Sequence, residues 1–276
     1  MSARPQVDPA LVAALKRLRL GRIAETLPER LALAEKQDMS PEELLLLLLT
    51  DEIGRRDGAA SANRVRDAGL PPQMRIEQWD KTTKVSFDKR LLNQLTSLRF
   101  LEDHKHVVIL GAVGVGKTFL ASALGHIACR HGYHVRFLRA DAMLRALRQS
   151  RFDNSRDAMM TALSTTDLLI LDDFALEPMS KEESKDIYQL FLDRTDRGSI
   201  IVTSNRDTSE WLPMFDDALL AQSAVDRFKN DAFDLIVEGE SYRPRLKPTP
   251  AGDAEPMPAR DKPTVHPRSR ARAKVK

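Results

Sequence analysis

The eight residues GAVGVGKT, Gly111 to Thr118, join an apolar run at 106–110 (HVVIL) to a helical pattern at 117–131 and fit G-x-x-x-x-G-K-[ST]. In such a strand–loop–helix unit, backbone N–H groups and the helix N-terminus bind phosphate oxygens. We predict an ATP site in which Lys117 reaches the β- and γ-phosphates and the Thr118 hydroxyl binds Mg²⁺. The predicted loop consists of Gly111, Ala112, Val113, Gly114, Val115, Gly116, Lys117 and Thr118.

Two consecutive carboxylates, Asp172 and Asp173, end the apolar run LLIL at 168–171. Ligands of open α/β sheets bind at the carboxyl ends of the strands, so we predict Asp172 as the second Mg²⁺ ligand, beside Thr118. Asp173 would orient the attacking water, although a solvated or capping acid is the alternative. Most proteins of this architecture carry glutamate as the second acid, and aspartate is one methylene shorter, so we expect hydrolysis either to be slow or to need a partner that tightens the geometry.

A third apolar run, SIIV at 199–202, ends in the polar residues Thr203, Ser204 and Asn205. We predict that this strand lies between the phosphate-loop strand and the Asp172 strand. Asn205 would then face the γ-phosphate and bind it or the attacking water. The alternative is that Asn205 only forms a turn, as asparagine often does.

Apolar strands separated by helices continue from about residue 86 to residue 238, which predicts an α/β fold with a five-stranded parallel sheet between two helical layers. These elements predict a P-loop NTPase, and a strand inserted between the phosphate-loop strand and the Asp172 strand is typical of ATPases with a sensor residue, which favours a mechanochemical or assembly ATPase. A GTPase is excluded, since no D-x-x-G follows the Asp172 strand and N-K-x-D is absent from the sequence. A small-molecule kinase is the less favoured alternative.

Two other segments flank this domain. Residues 1–70 predict a small helical domain for binding a partner, in which Ser40, Pro41 and Glu43 form a helix-starting capping box. Residues 71–243 form the ATPase domain, and the proline-rich basic residues 244–276 predict a disordered tail. Cys129 is the single cysteine and no apolar run could span a bilayer, so we expect a cytoplasmic protein without membrane contact.

The net charge of +3 conceals an uneven distribution, since residues 130–156 carry +5 and residues 157–243 carry −11. In the basic stretch, Arg145, Arg148, Arg151 and Arg156 lie on a predicted helical excursion between two strands. Arginine without aromatic partners is suited to the phosphates of duplex DNA. The alternative is a solvated basic face.

Several motifs in order carry a more specific resemblance: the phosphate loop through residue 137, DLLILDDFAL, TSNRDTSEW, AVDRF and GESYRPR. Over about residues 10–245 the chain resembles the IstB-like ATP-binding proteins, AAA+ helpers of insertion-sequence transposases, and less closely the helicase loader DnaC. The resemblance implies an ATPase that forms a homo-oligomer on double-stranded DNA, selects or bends the target and recruits a transposase. It maps a trans-acting arginine onto Arg227 and a second sensor arginine onto Arg243. The alternative function is a loader of a replicative helicase, or a phage replication ATPase.

Overall fold

A six-stranded sheet forms the centre of the structure, which a computed structural model describes for residues 7–242. The strands are β1 (Val85–Ser86), β2 (His106–Gly111), β3 (Val135–Arg139), β4 (Leu168–Asp172), β5 (Ser199–Ser204) and β6 (Ala232–Gly239). Their spatial order is β1-β6-β2-β5-β4-β3, and every neighbouring pair is parallel except β1 and β6. The five parallel strands are the ones predicted from the sequence.

The order of the strands confirms the predicted insertion, because β5 pairs with β2 on one side and with β4 on the other. The sheet also contains one strand more than predicted. The additional strand, β1, consists of two residues that pair antiparallel with the end of β6. Two residues are too few to produce an apolar alternation, so only the pairing reveals this strand.

Ten α-helices surround or precede the sheet within residues 7–242. They are α1 (Pro9–Arg17), α2 (Ile23–Gln37), α3 (Pro41–Ala68), α4 (Lys89–Thr96), α5 (Arg99–Glu102), α6 (Lys117–Arg130), α7 (Ala140–Gln149), α8 (Arg156–Thr165), α9 (Lys181–Arg194) and α10 (Ala218–Asn230). From the sequence alone we expect one helix at 86–101, and the structure instead contains α4 and α5, because Leu98 adopts a left-handed conformation (φ 63°) between them.

Alternate residues of the strands point to opposite faces of the sheet, and both faces are buried. Val108 and Val202 belong to one apolar cluster with side chains of α7, α8, α9 and α10. Val107 and Ile201 belong to a second cluster with α4, α5, α6 and the end of α3. This double cover explains why the strands are continuous apolar runs, and it leaves the carboxyl ends of the strands to form a site.

The N-terminal helices have a small apolar cluster of their own, centred on Ile23, Leu27 and Leu48. Helix α3 begins with the predicted capping box, in which the Ser40 N–H donates to Glu43 Oε2 (2.7 Å) and the Glu43 N–H donates to Ser40 Oγ (3.2 Å). Its far end packs on the sheet cluster through Ala68, so one 28-residue helix contacts both clusters.

The domain boundary near residue 70 falls just after α3 and stays a prediction. The tail at 244–276 lies outside the described residues. No helix within residues 7–242 is both long and apolar enough to span a bilayer.

Candidate active site

The phosphate loop leaves β2 at Gly111 and enters α6 at Lys117, as the sequence predicts. Two of its glycines are required by backbone conformation and close packing. Gly111 has φ 152°, and a Cβ there would lie 2.1 Å from the Val237 carbonyl oxygen of β6. Gly116 has φ 102°, and a Cβ there would lie 2.8 Å from the ring of Trp79. The loop therefore keeps its N–H groups at the helix N-terminus, where phosphate binds.

Lys117 connects the loop to the tip of β5. Its side chain is buried, and Nζ donates to the carbonyl oxygens of Gly111 (2.8 Å) and Ala112 (2.7 Å). The same Nζ donates to Asn205 Oδ1 at 2.5 Å. The predicted proximity of Asn205 to the phosphate loop is therefore present in the structure, 88 residues away along the chain. An amide and an ammonium group at this distance can share one phosphate oxygen.

Thr118 and Asp172 are also adjacent, as predicted for two ligands of one cation. The Thr118 hydroxyl donates to Asp172 Oδ1 at 2.8 Å, and the Thr203 hydroxyl donates to the same oxygen at 2.6 Å. Burial raises the pKa of Asp172 above its usual value, and these two hydrogen bonds only partly offset that effect. A buried carboxylate beside a hydroxyl suits a hard divalent cation, which would compensate its charge.

Residues 7–242 contain no cluster of three or more histidine, cysteine or acidic side chains arranged to hold a metal. The remaining ligands of Mg²⁺ at Thr118 and Asp172 would therefore be phosphate oxygens and water, which is the usual arrangement for this cation.

Asp173 occupies a left-handed conformation (φ 55°) on the turn after β4, where its N–H donates to the Thr203 hydroxyl at 3.0 Å. Its carboxylate faces Arg139, whose Nη2 lies 3.9 Å from Asp173 Oδ2. Sequence reasoning missed Arg139. Its signal is the polar end of the strand HVRFLR, which the register of β3 and β4 brings beside Asp172.

Trp79, which the sequence pattern also did not indicate, covers the loop from outside the sheet. Its ring contacts Phe119 and Phe87 edge-on, with centroids 5.2 and 5.7 Å away. The other end of the described chain is also close, since the Tyr242 N–H donates to the Gly114 carbonyl oxygen at 2.9 Å. Arg243 follows directly and lies outside the described residues.

The side chain of Arg227 is exposed on α10 and makes no hydrogen bond or ion pair with any residue at 7–242. Two acids nearby in the sequence, Asp226 and Asp231, could pair with it on the surface, but Asp231 is paired with Lys105. The described part of the chain therefore contains no surface ion pair of Arg227.

The four arginines of the basic stretch divide into two pairs. Arg145 and Arg148 are 64% and 59% exposed, and they make single ion pairs with Asp141 (3.1 Å) and Glu183 (3.4 Å). Arg151 and Arg156 both bind Asp186, a carboxylate that is 1% exposed, with shortest distances of 2.6 and 2.5 Å. The first pair is accessible, whereas the second neutralises a buried charge.

Residues 13–249 match the family model described as IstB-like ATP binding protein. The chain belongs to this family. An insertion-sequence ATP-binding protein of Mycobacterium tuberculosis is 37% identical over 242 residues, which cover 87% of this chain and 96% of that protein. The IS21 ATP-binding protein of Pseudomonas aeruginosa is 33% identical over 84% of this chain and 88% of its own length. IstB-like proteins of several insertion sequences thus match nearly end to end.

Solved structures similar to this IstB-like chain support the AAA+ fold. DnaI superposes with a TM-score of 0.52 at 18% identity, over 61% of this chain and 94% of its own. The replication initiator DnaA, solved with AMPPCP and single-stranded DNA, gives a TM-score of 0.50 at 23% identity over 62% of this chain and about half (51%) of its own. The protein is accordingly a P-loop ATPase of the IstB-like family.

Proposed function

We propose that this ATPase forms an oligomer on duplex DNA, selects or remodels a target there, and recruits and stimulates a transposase. The observation that carries the proposal is the convergence of Lys117, Thr118, Asp172 and Asn205 at the carboxyl edge of β2, β4 and β5, with an unpaired arginine on α10. The first four residues can hold a nucleotide and a cation, and the arginine can serve a neighbouring subunit. We also propose that the protein acts in the cytoplasm.

Each residue has a defined chemical part in hydrolysis. Lys117 would leave the loop carbonyl groups and bind the β- and γ-phosphates, which also frees Asn205 to bind the γ-phosphate or the water. Thr118 and Asp172 would hold Mg²⁺, which would neutralise negative charge on the phosphates. Asp173 would accept a hydrogen bond from the attacking water once its carboxylate turns from Arg139. The Arg139 contact therefore supports slow hydrolysis in a free subunit.

Arg227 supports a role for the oligomer in catalysis. A guanidinium that has no partner among residues 7–242 can stabilise charge that develops on a neighbour's γ-phosphate, as arginine fingers do. Arg243, the second sensor arginine that the resemblance implies, is proposed to contact the nucleotide, because it follows Tyr242, whose N–H donates to the Gly114 carbonyl oxygen of the phosphate loop. ATP would then hold neighbouring subunits together, and hydrolysis would release them.

DNA contact is proposed for Arg145 and Arg148, whose surface ion pairs are each worth only about 0–1 kcal/mol and exchange readily for phosphate contacts. Arg151 and Arg156, which also belong to the predicted set, would act indirectly by holding the α7–α8 connection through Asp186.

A transposase is proposed as the partner of the N-terminal helices. On α3, an apolar stripe of Leu45, Leu46, Leu49 and Ile53 is 39–66% exposed. Such a stripe is typical of a surface that binds another protein. The names of the relatives, which belong to insertion sequences, favour a transposase over a replicative helicase. The likeness to DnaI concerns the fold alone and leaves the loader function as the second candidate.

A complementation experiment tests the shared site. Lys117→Ala subunits cannot bind nucleotide, and Arg227→Ala subunits cannot supply an arginine to the active site of a neighbouring subunit. Each variant alone should therefore hydrolyse ATP at a small fraction of the wild-type rate on long duplex DNA. Mixed, they should regain activity, because a Lys117→Ala subunit still presents Arg227 to an intact site. The double variant Lys117→Ala/Arg227→Ala is the control and should restore nothing.

Full activity of Arg227→Ala alone, or co-assembly without recovery, would contradict the shared site. Particle size measured with ATP and duplex tests assembly itself, since a protein that stays a single subunit excludes the proposal.

Pull-down of the transposase encoded beside this chain tests the partner, and the variant Leu46→Ser/Ile53→Ser should capture less of it than the wild type. Capture of a replicative helicase instead would favour the second candidate.

A further inference from the structure

Phe152 is the most exposed of the large apolar side chains within residues 7–242, with 87% of its surface accessible. It lies in the connection between α7 and α8, near the end of the stretch at 130–156 that carries a charge of +5. An aromatic ring in water gains nothing for the fold, because it loses the stabilisation that burial would provide. From the sequence we assigned no aromatic residue to the arginines here, and the structure shows that Phe152, directly after Arg151, is exposed beside them in the chain.

Hydrogen bonds and an ion pair fix the loop that carries Phe152. The Phe152 N–H donates to the Gln149 carbonyl oxygen at 3.0 Å, which continues the turn of α7. On one side of Phe152, Arg151 is attached to the buried Asp186, and on the other, Asp153 Oδ1 accepts from the Ser155 N–H (3.0 Å) and hydroxyl (2.6 Å). The ring is therefore presented on an ordered support.

Phe152 follows the two accessible arginines closely along the chain. Arg145 and Arg148 lie three residues apart and are therefore neighbours on one face of α7, and Phe152 comes three residues after the end of that helix. The Arg151 N–H donates to the Arg148 carbonyl oxygen at 3.4 Å, so one further turn follows the end of α7. Two exposed guanidinium groups thus precede an exposed aromatic ring in one short segment.

We propose that Phe152 inserts between neighbouring base pairs of duplex DNA while Arg145 and Arg148 hold the flanking phosphates. The proposal rests on the proposed function, since it names how the protein would contact the duplex. The charges favour duplex DNA as the partner, because the exposed guanidinium groups of Arg145 and Arg148 precede Phe152, whereas another protein would require a continuous apolar patch. Apolar wedges inserted beside basic residues partly unstack a base step and kink the duplex.

The insertion has a consequence for target choice. Pyrimidine–purine steps such as TA and CA unstack at lower cost than other steps, so a wedge favours sites that contain them without reading base edges. Preference for a target would then come from deformability, and a duplex already bent or mismatched at one step would bind better than a straight one.

Fluorescence of 2-aminopurine placed beside a central TA step of a duplex reports insertion, because this base brightens when it unstacks. With ATP and Mg²⁺, the wild type should bind and brighten the probe. Phe152→Ala should bind about tenfold more weakly, as expected for the loss of one stacking contact, and leave the probe dark. Its salt dependence should be unchanged, since the phosphate contacts remain.

Phe152→Trp should keep the signal, and Leu219→Ala, which truncates another highly exposed side chain (80%), should behave as the wild type. Thermal unfolding of Phe152→Ala should match the wild type because the ring is exposed.

The outcomes separate this inference from the proposed function. A wild type that binds no duplex refutes both. A wild type that binds, with Phe152→Ala binding and brightening the probe equally, refutes the insertion and leaves the proposed function standing. If Phe152→Ala loses binding to single-stranded DNA but not to duplex DNA, the ring stacks on unpaired bases and the insertion is refuted. If Phe152→Ala no longer forms oligomers in the absence of DNA, Phe152 is a contact between subunits, which also refutes the insertion.

Discussion

Arg151 and Arg156 should support the fold and not the DNA contact, although they belong to the same basic stretch as Arg145 and Arg148. Arg151 Nη2 donates to both oxygens of Asp186, at 2.7 and 2.6 Å, and Arg156 donates to Oδ1 from Nε (3.0 Å) and Nη2 (2.5 Å). Replacing both arginines with glutamine leaves an uncompensated buried carboxylate. Removing one partner of a buried pair costs about 3 to 5 kcal/mol, and we expect a loss of this order in the free energy of unfolding.

The accessible pair should behave in the opposite way. Arg145→Gln/Arg148→Gln breaks two ion pairs of exposed arginines, each worth about 0–1 kcal/mol, so the free energy of unfolding should change by less than about 2 kcal/mol. If each arginine neutralises one phosphate, the slope of log K against log salt should become shallower by about 1.8 per protomer, from about 0.9 per phosphate contact.

Two assays applied to both double variants distinguish these roles. Urea unfolding measures stability, and duplex binding between 50 and 200 mM salt, the range over which phosphate contacts are commonly resolved, measures the slope. Asp186→Asn in the Arg151→Gln/Arg156→Gln background is the matched control and should restore part of the stability, because it removes the orphaned charge. A stable Arg151→Gln/Arg156→Gln variant with a shallower salt slope would refute the division of the four arginines.

Three further predictions concern the ionisation and contacts of buried or site residues. Burial lowers the pKa of His106 from 6.5 to about 4, so the unfolded chain takes up the proton first and stability falls as the pH drops from about 6.5 to 4, by about 3 kcal/mol. His106→Asn keeps an acceptor for the Ile200 N–H, so its free energy of unfolding, measured with urea, should change less between pH 7 and pH 4.5 than that of the wild type. An equal change in the two proteins would contradict this prediction. Asp172→Asn removes a buried carboxylate whose pKa is raised, so it should increase the melting temperature without nucleotide while abolishing Mg²⁺-dependent hydrolysis, and a lower melting temperature would count against this account of the site. Trp79 and Trp211 are the two tryptophans, and only Trp79 borders the loop, so ATP should change the emission of the wild type but not of Trp79→Phe, and a response that survives in this variant would disprove the contact.

Local patterns determined most of the architecture. The boundaries of β4 and β5, the start of α3 at its capping box, and the strand–loop–helix unit around Lys117 follow from the periodicity and chemistry of adjacent residues, which act over one or two turns of backbone. The insertion of β5 between β2 and β4 also followed, because the polar tip at 203–205 belongs at a shared sheet edge.

Only the tertiary structure decided which charges and rings meet over long separations. Asp186 lies 35 residues after Arg151, and nothing local distinguishes arginines that neutralise a buried carboxylate from arginines that face solvent. The contact of Arg139 with Asp173, the cover of Trp79 over Gly116 and the exposure of Phe152 have the same origin. Side-chain partners depend on the relative placement of whole elements, and that placement is a property of the packed core and not of any short segment.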